Sequence, residues 1–318
     1  MPEKLKIFVL SLLFAAGTAA SPFLSGGGFL APQGKNDLTV NLSYNQYTGS
    51  TDGNGIFSSF APGVSRLDYS VLFDLKYGTG RESDMEIILP YHNLLYTAAN
   101  GSTLSANGLG DLVVIGRSKT NVNKGQQGAL VLGLGVKAPT GKSVFQLDPG
   151  GLATGTGTWD VGAVINMHEL NSGFLLYTDL SWWYRFGFNA GKFNGLDISS
   201  IKAGETVVKY SPGTLLKYDV GAEFVMAKFL SLIGELNGEV YYDNKAEYLN
   251  SGSDALADLV ARGLPDYTLQ KSVKVKIITG AKIYLNERIA LGAGVSIPVN
   301  LVNAYGNITW LAHLRFIF

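Results

Sequence analysis

Arg66-Leu67-Asp68-Tyr69-Ser70-Val71-Leu72-Phe73-Asp74-Leu75-Lys76-Tyr77 separates by twos into a face of Leu67, Tyr69, Val71, Phe73, Leu75 and Tyr77 and a face of Arg66, Asp68, Ser70, Leu72, Asp74 and Lys76. A helix, with 3.6 residues per turn, would scatter both sets around its axis, whereas a strand sends alternate side chains to opposite faces. The same division recurs in 174–186. There Phe174, Leu176, Leu180, Trp182, Tyr184 and Phe186 oppose Asp179, Ser181 and Arg185. It recurs again in 272–285, with Lys274, Lys276 and Lys282 opposite Val273, Val275, Ile277, Ala281 and Ile283, and in 289–299. The last strand, 307–318, carries Ile308, Trp310, Ala312, Leu314, Phe316 and Phe318 on one face and ends on an aromatic residue.

Counted along the chain, such segments number about twelve: 37–47, 66–77, 84–95, 109–120, 128–138, 157–168, 173–186, 214–226, 230–243, 271–285, 289–300 and 307–318. Their lengths approach the ~9–11 residues of a tilted strand crossing a bilayer. The connections alternate between short and long. Short links fall at 78–81, 121–127, 169–172, 227–229 and 286–288, and long polar ones at 48–65, 96–108, 139–156, 187–213 and 248–270. That alternation is expected of an outer-membrane barrel with brief periplasmic turns and longer extracellular loops, and an even strand number places both termini in the periplasm. The expected fold is an all-β, transmembrane antiparallel barrel of about twelve strands over 37–318. A soluble sandwich or lipocalin-like barrel also alternates, but it would leave one face of every strand with too many glycines and too few charges.

Composition agrees. The chain of 318 residues has 40 glycines, 16 Tyr and 16 Phe, 46% hydrophobic and 16% charged residues, a balance rich in strand and turn formers. Twenty-five basic residues match 25 acidic ones, so no cationic excess is present to bind nucleic acid. With no cysteine, disulfides, Cys-based metal sites and Cys nucleophiles are excluded. Residues 1–20 read as a cleaved secretory signal: Lys4 and Lys6 precede an apolar run from Ile7 to Ala16, and Thr18-Ala19-Ala20 offers small residues before a cut. The Pro/Gly-rich stretch 21–36 is either a periplasmic leader or a plug folded into the lumen, the leader being favoured because termini are poorly ordered unless tied down. In the loop 248–270, Ser253 is the expected N-cap of a short helix over 254–262 with Leu256, Leu259 and Val260 on its apolar face and Gly263 and Pro265 as its stop.

Few motifs carry chemistry. Gly135 to Ser143 reads GVKAPTGKS, but Val136 occupies the position where a phosphate-binding loop needs its first glycine. Gly108-Leu109-Gly110-Asp111 lacks the third glycine of a dinucleotide fingerprint. His92, His168 and His313 are distant in sequence and have no helical metal spacing, and His168 and His313 fall on the lumen side of the strand register. Neither a cofactor nor a metal is expected, and the chain is read as a non-enzyme.

The informative constellation is the mixed-charge face turned inward: Asp68, Asp74, Lys76, Glu86, Arg117, Lys119, Asp160, Asp179, Arg185, Lys217, Asp219, Glu223, Glu235, Lys274, Lys276 and Arg315. Ionisable groups at membrane depth must pair or meet water, so these residues are expected to form ladders lining the lumen, either around an open pore or as a polar core packed shut. Neither sign predominates, so strict ion selectivity is not indicated.

Three segments resemble a known family. Gly108-Leu109-Gly110-Asp111-Leu112, Gly133-Leu134-Gly135-Val136-Lys137-Ala138-Pro139-Thr140-Gly141-Lys142 and Gly155-Thr156-Gly157-Thr158-Trp159-Asp160 match, in order, the G-L-G-D, K-x-P-T-G and G-x-G-x-W-D patterns of the outer-membrane barrel family named for the meta-pathway of phenol degradation, also called transporter-like proteins. They fall within residues 108–160, about a sixth of the chain. After Gly116 the chain departs from that family, with Arg117-Ser118-Lys119 in place of Lys-Tyr-Arg. The resemblance implies an outer-membrane barrel that passes aromatic or other poorly polar compounds, and it implies no catalytic residue. The terminal strand similarly resembles the signal read by the barrel-assembly machinery, carried by Trp310, Leu314, Phe316 and Phe318. The expected function is therefore an outer-membrane channel or transporter for small solutes, with membrane lipid and the assembly machinery as partners. The alternative is a closed structural barrel whose extracellular loops bind a partner. The motif residues themselves are expected to shape the barrel rather than to bind solute: Pro139 ends a strand, Gly141 supports a turn and Trp159 anchors the rim.

Overall fold

The structure, a computed structural model, describes residues 29–120, 128–148, 151–171, 173–262 and 271–318. The expected signal segment, the first part of the Pro/Gly-rich stretch, the link at 121–127 and the helix stop at Gly263 and Pro265 lie outside them. Twelve long strands form the wall: β1 (Asn36–Thr51), β2 (Ser65–Gly80), β3 (Ser83–Thr97), β4 (Leu112–Thr120), β5 (Gly128–Ala138), β6 (Asp160–Asn171), β7 (Phe174–Arg185), β8 (Leu215–Ala227), β9 (Leu230–Tyr241), β10 (Ser272–Asn286), β11 (Ile289–Val302) and β12 (Tyr305–Ile317). Each pairs antiparallel with its sequence neighbours, and β12 returns to β1 in a register running from Asp37 opposite Ile317 to Ser50 opposite Tyr305. At the seam Asn36 and Phe318 exchange both backbone hydrogen bonds, at 2.8 and 2.9 Å. Closure leaves no wall strand with a free edge, the condition hydrocarbon imposes on β structure.

Alternation sorts the side chains. Leu134, Phe224, Leu236, Ile277, Ile297 and Trp310 project outward and are exposed, while Arg117, Asp160, Glu223, Glu235, His313 and Arg315 project inward and are buried. Exposed aromatics, Tyr69, Trp182, Tyr184, Tyr242 and Trp310, ring the end that bears the long connections, and Tyr77 and Phe318 lie near the other. This apolar band with aromatic borders is the surface a barrel presents to lipid. Both ends of the wall, Asn36 and Ile317, sit at the short-turn end.

Two features depart from the sequence reading. The segment expected to be a loop between β3 and β4 contains a further strand, Thr103–Leu109, which pairs with the upper half of β3; β4 takes over the lower half only after a break at Gly110-Asp111. The long connections also fold on one another. Short strands Phe188–Ala190, Val208–Ser211 and Lys245–Tyr248 form a small sheet, joined by helices α1 (Ile198–Ile201) and α2 (Leu256–Arg262). Phe145, Phe193, Ile198, Val208, Tyr248 and Leu259 form a buried core in this outer cap. Helix α2 falls where it was expected, but Asp254 rather than Ser253 accepts the hydrogen bond from the Leu256 N–H, at 2.8 Å; the Ser253 hydroxyl accepts instead from Lys202 Nζ.

Leu134 is the most exposed of the large outward hydrophobics, 76%, and sits at the middle of β5. Leu134→Arg is expected to destabilise the folded barrel by about 2–4 kcal/mol in lipid vesicles, read from guanidinium unfolding, with a much smaller effect in detergent.

Candidate functional site: the barrel lumen

Near the short turns the lumen is filled by charge. The Arg117 guanidinium donates two parallel hydrogen bonds to Asp84, at 2.9 and 2.7 Å, and lies 3.3 Å from Glu86. Lys76 stands 3.6 Å from Glu86 and 3.7 Å from Asp74. On the adjoining wall Arg315 makes a second fork onto Asp37, from β12 to β1 across the seam. Glu223 accepts from Ser231, at 2.5 Å, and from Tyr284, and Tyr177 donates to Glu235 at 2.7 Å. Burying a lone charge costs several kcal/mol, so each of these groups requires the others. The forks explain why arginine stands at both pivotal positions: its planar donors match a carboxylate where a lysine ammonium offers only a point charge.

The described part of the Pro/Gly-rich stretch, residues 29–35, packs against this floor. The Ala31 N–H donates to Asp84 Oδ2, an oxygen that also accepts from Arg117, at 2.9 Å, and the Phe29 carbonyl accepts from Arg117 at 3.3 Å. The Phe29 ring stacks on His168 with centroids 4.3 Å apart. Gly34 and Lys35 exchange backbone hydrogen bonds with Gly78. A side chain at Gly78 would place its Cβ 2.1 Å from the Pro32 carbonyl oxygen, so glycine is what allows the segment to lie against β2. The segment is tied down because buried charges on the wall need its backbone groups.

A second knot lies below the long-loop end, where the three motif segments converge on Asp111. Its carboxylate accepts hydrogen bonds from the Gly141 N–H (3.2 Å), the Thr156 N–H (2.8 Å) and the Thr156 hydroxyl (2.7 Å), and pairs with Lys137 at 3.0 Å. Lys137 also reaches Asp160 at 2.9 Å and Thr158 at 3.2 Å, while Thr140 donates to the Gly110 carbonyl at 2.6 Å. Backbones meet so closely here that a Cβ on Gly155 would stand 2.4 Å from Asp111 Oδ1 and 2.7 Å from the Gly141 Cα. The motif residues thus hold three connections together, in line with a role in shape, and Asp111 and Lys137 hold Thr156 on the lumen side.

Between floor and knot lies a cavity of about 510 Å³, whose lining includes Glu86, Asp111, Lys137, Asp160, Asn166, Asp179, Lys217, Asp219, Asn237, His92 and residues 154–156. One side is apolar: Ile115, Val164, Trp183 and Leu215 form a buried cluster with Ile88, Val113 and Tyr241 against it. Among the inward residues foreseen from alternation, Asp74, Lys76, Glu86, Arg117, Glu223, Glu235 and Arg315 belong to the floor. Asp160, Asp179, Lys217 and Asp219 line the cavity. Asp68 sits 3.6 Å from His92, and Arg185 lies 4.0 Å from Asp160 and over the Tyr241 ring; Lys274 is over that ring too, and Lys276 is half-buried on the same strand. Lys119 differs. It shares the inward parity of Arg117 but comes two residues later, at the rim, where it is exposed to solvent.

Sequence reasoning passed over Asp37, Asp84, Asp111, Lys137 and Glu239 as lumen charges, and placed Lys282 on the polar face without counting it among them. Asp37, Asp84 and Asp111 stand at strand beginnings, where a short run gives no parity to read. Each had a findable signal: Asp84 precedes Glu86 by two, Asp37 lies opposite the terminal strand beside Arg315, and Asp111 closes a recurrent motif.

A closed twelve-strand wall with a lipid-facing exterior and a charged interior defines a transmembrane β-barrel of the outer-membrane type. No protein-family model and no curated protein matches the chain. Among solved structures, the crystal structure of an outer-membrane channel from Pseudomonas putida F1 matches with a TM-score of 0.70 over 94% of this chain and 100% of that one, at 13% identity. At that identity the likeness establishes a shared fold, the one implied by the motif resemblance. A FadL homologue of Pseudomonas aeruginosa, at 9% identity and a TM-score of 0.47 over 95% of each chain, and the NanC porin, at 7% and 0.45 over 88% of this chain and 98% of that one, are more distant.

Arg117→Ala leaves Asp84 and Glu86 facing each other without their shared cation. A loss of about 3–5 kcal/mol in unfolding free energy is expected, with partial recovery in Arg117→Lys, both read from guanidinium titration.

Proposed function

We propose that the chain is a passive outer-membrane channel for small, poorly polar solutes, aromatic compounds among them. The supporting observation is the cavity inside the barrel, in which one wall of Ile115, Val164, Trp183 and Leu215 faces carboxylates, lysines and amides. A filled structural barrel has no need of such a space, and sites for small organic molecules pair an apolar surface with a few placed polar groups. The motif resemblance and the fold shared with an outer-membrane channel point the same way. In this reading the short turns and both termini face the periplasm, the capped loops face outward, and Trp310, Leu314, Phe316 and Phe318 present the assembly signal to the barrel-assembly machinery. The chain is read as having no enzymatic activity: His92, His168 and His313 all turn to the lumen, where each touches Asp68, Phe29 or Asn41.

The charged floor with residues 29–35 favours a second reading, a closed barrel that acts through its outer cap. Conductance across planar bilayers separates the two. The full chain is expected to show small openings, and removal of residues 29–33 to raise single-channel conductance severalfold. Silence of both proteins at every voltage would sink the channel reading.

A further inference from the structure

Across four neighbouring strands, cross-strand pairing places Asn166, Asp179, Asp219 and Asn237 in one row on the lumen wall. Two carboxylates stand side by side in its centre, flanked by amides. Asn166 donates to Asp179 at 2.6 Å and Asn237 to Asp219 Oδ2 at 3.1 Å. Adjacent like charges on one sheet face repel unless something positive lies between them. Of the nearby cations, Lys137 is engaged with Asp111 and Asp160 and Lys217 with Glu239 at 3.3 Å, while Lys276 stands on the strand beyond Asn237. Asp219 is 4% exposed, and its Oδ1 has no hydrogen-bond partner although the residue borders the cavity. Asp74 and Glu223 in the floor also have such an oxygen, but among the described carboxylates so left Asp219 is the one that lines the cavity, where a ligand can reach it.

The apolar wall adjoins the row. Val164 precedes Asn166 by two residues on β6, about 7 Å along the strand, and belongs to the cluster with Ile115, Trp183 and Leu215. A flat apolar group can rest there while a cation one short alkyl arm away reaches Asp219 and Asp179. A wholly apolar molecule would leave the carboxylates facing each other, and an anion would add to their repulsion.

We propose that this chamber binds a small aromatic monoamine in its ammonium form, with the ring against Val164, Ile115 and Trp183 and the ammonium donating to Asp219 and Asp179. The assignment rests on the channel reading and goes beyond it, from poorly polar aromatic solutes to an aromatic ring that carries one cationic arm. Its test is calorimetric titration of the full chain in detergent with three probes of similar shape: 2-phenylethylammonium, neutral 2-phenylethanol and anionic 3-phenylpropanoate. The ammonium is expected to bind about tenfold or more tightly than either analogue, the increment of a charge-assisted hydrogen bond. Asp219→Asn, close in shape, is expected to erase that preference while retaining the heat-modifiable gel mobility of a folded barrel, and Lys119→Gln at the rim to leave it intact. Equal binding of the three probes, or an Asp219→Asn protein that keeps the preference, overturns the proposal. So does methylammonium binding as tightly as 2-phenylethylammonium, since the ring would then contribute nothing. Binding is read without conductance, so a silent barrel that selects the ammonium defeats the channel reading alone, and a conducting one without selection defeats this assignment alone.

Discussion

Hydrocarbon offers no hydrogen-bond partner to a peptide group, and each one left unpaired there costs several kcal/mol. The return of β12 to β1 follows from that constraint, and so does most of the structure. With the circle closed at twelve strands, alternate side chains have only two destinations. Those turned outward must be apolar, because Leu134 or Ile277 meets lipid. Those turned inward share a narrow space with the inward residues of every other strand, and they settle accounts among themselves.

The lumen meets this demand differently along its length. At the short-turn end Arg117 and Arg315 each clasp a carboxylate on a neighbouring strand, and residues 29–35 supply backbone donors and acceptors that the wall lacks. Higher up, aliphatic residues and Trp183 replace charge on one side, and carboxylates, lysines and amides line the other. Ion pairs crowd the floor, whereas the chamber above it keeps open space between Asp219 and the apolar wall, and the proposed solute position lies there.

The wall was legible in the sequence because a period of two is a local property: twelve residues of β2 suffice to separate Tyr69 and Phe73 from Asp68 and Asp74. Counting such segments supplied the strand number, and the alternation of short and long links told one end of the barrel from the other. What escaped was set by partners remote in sequence. Nothing near Phe29 or Ala31 announces that Asp84 and Arg117 will hold them, and Lys119 has the parity of a lumen residue but stands one step past the barrel's depth. The strand break at Gly110-Asp111 was hidden because its cause lies at Gly141 and Gly155. Ser253 and Asp254 are equally good caps on paper, and Lys202, 51 residues away, engages the serine.

The meeting of Gly110, Gly141 and Gly155 also bears on how the chain assembles. Asp111 and Thr156 are 45 residues apart, and their contact requires β4, β5 and β6 already to be aligned, since a slip by one residue would turn Lys137 and Asp160 out to lipid. The knot can therefore close only in a correctly registered sheet: a misaligned barrel is left with a loose strap and an uncompensated aspartate at its mouth.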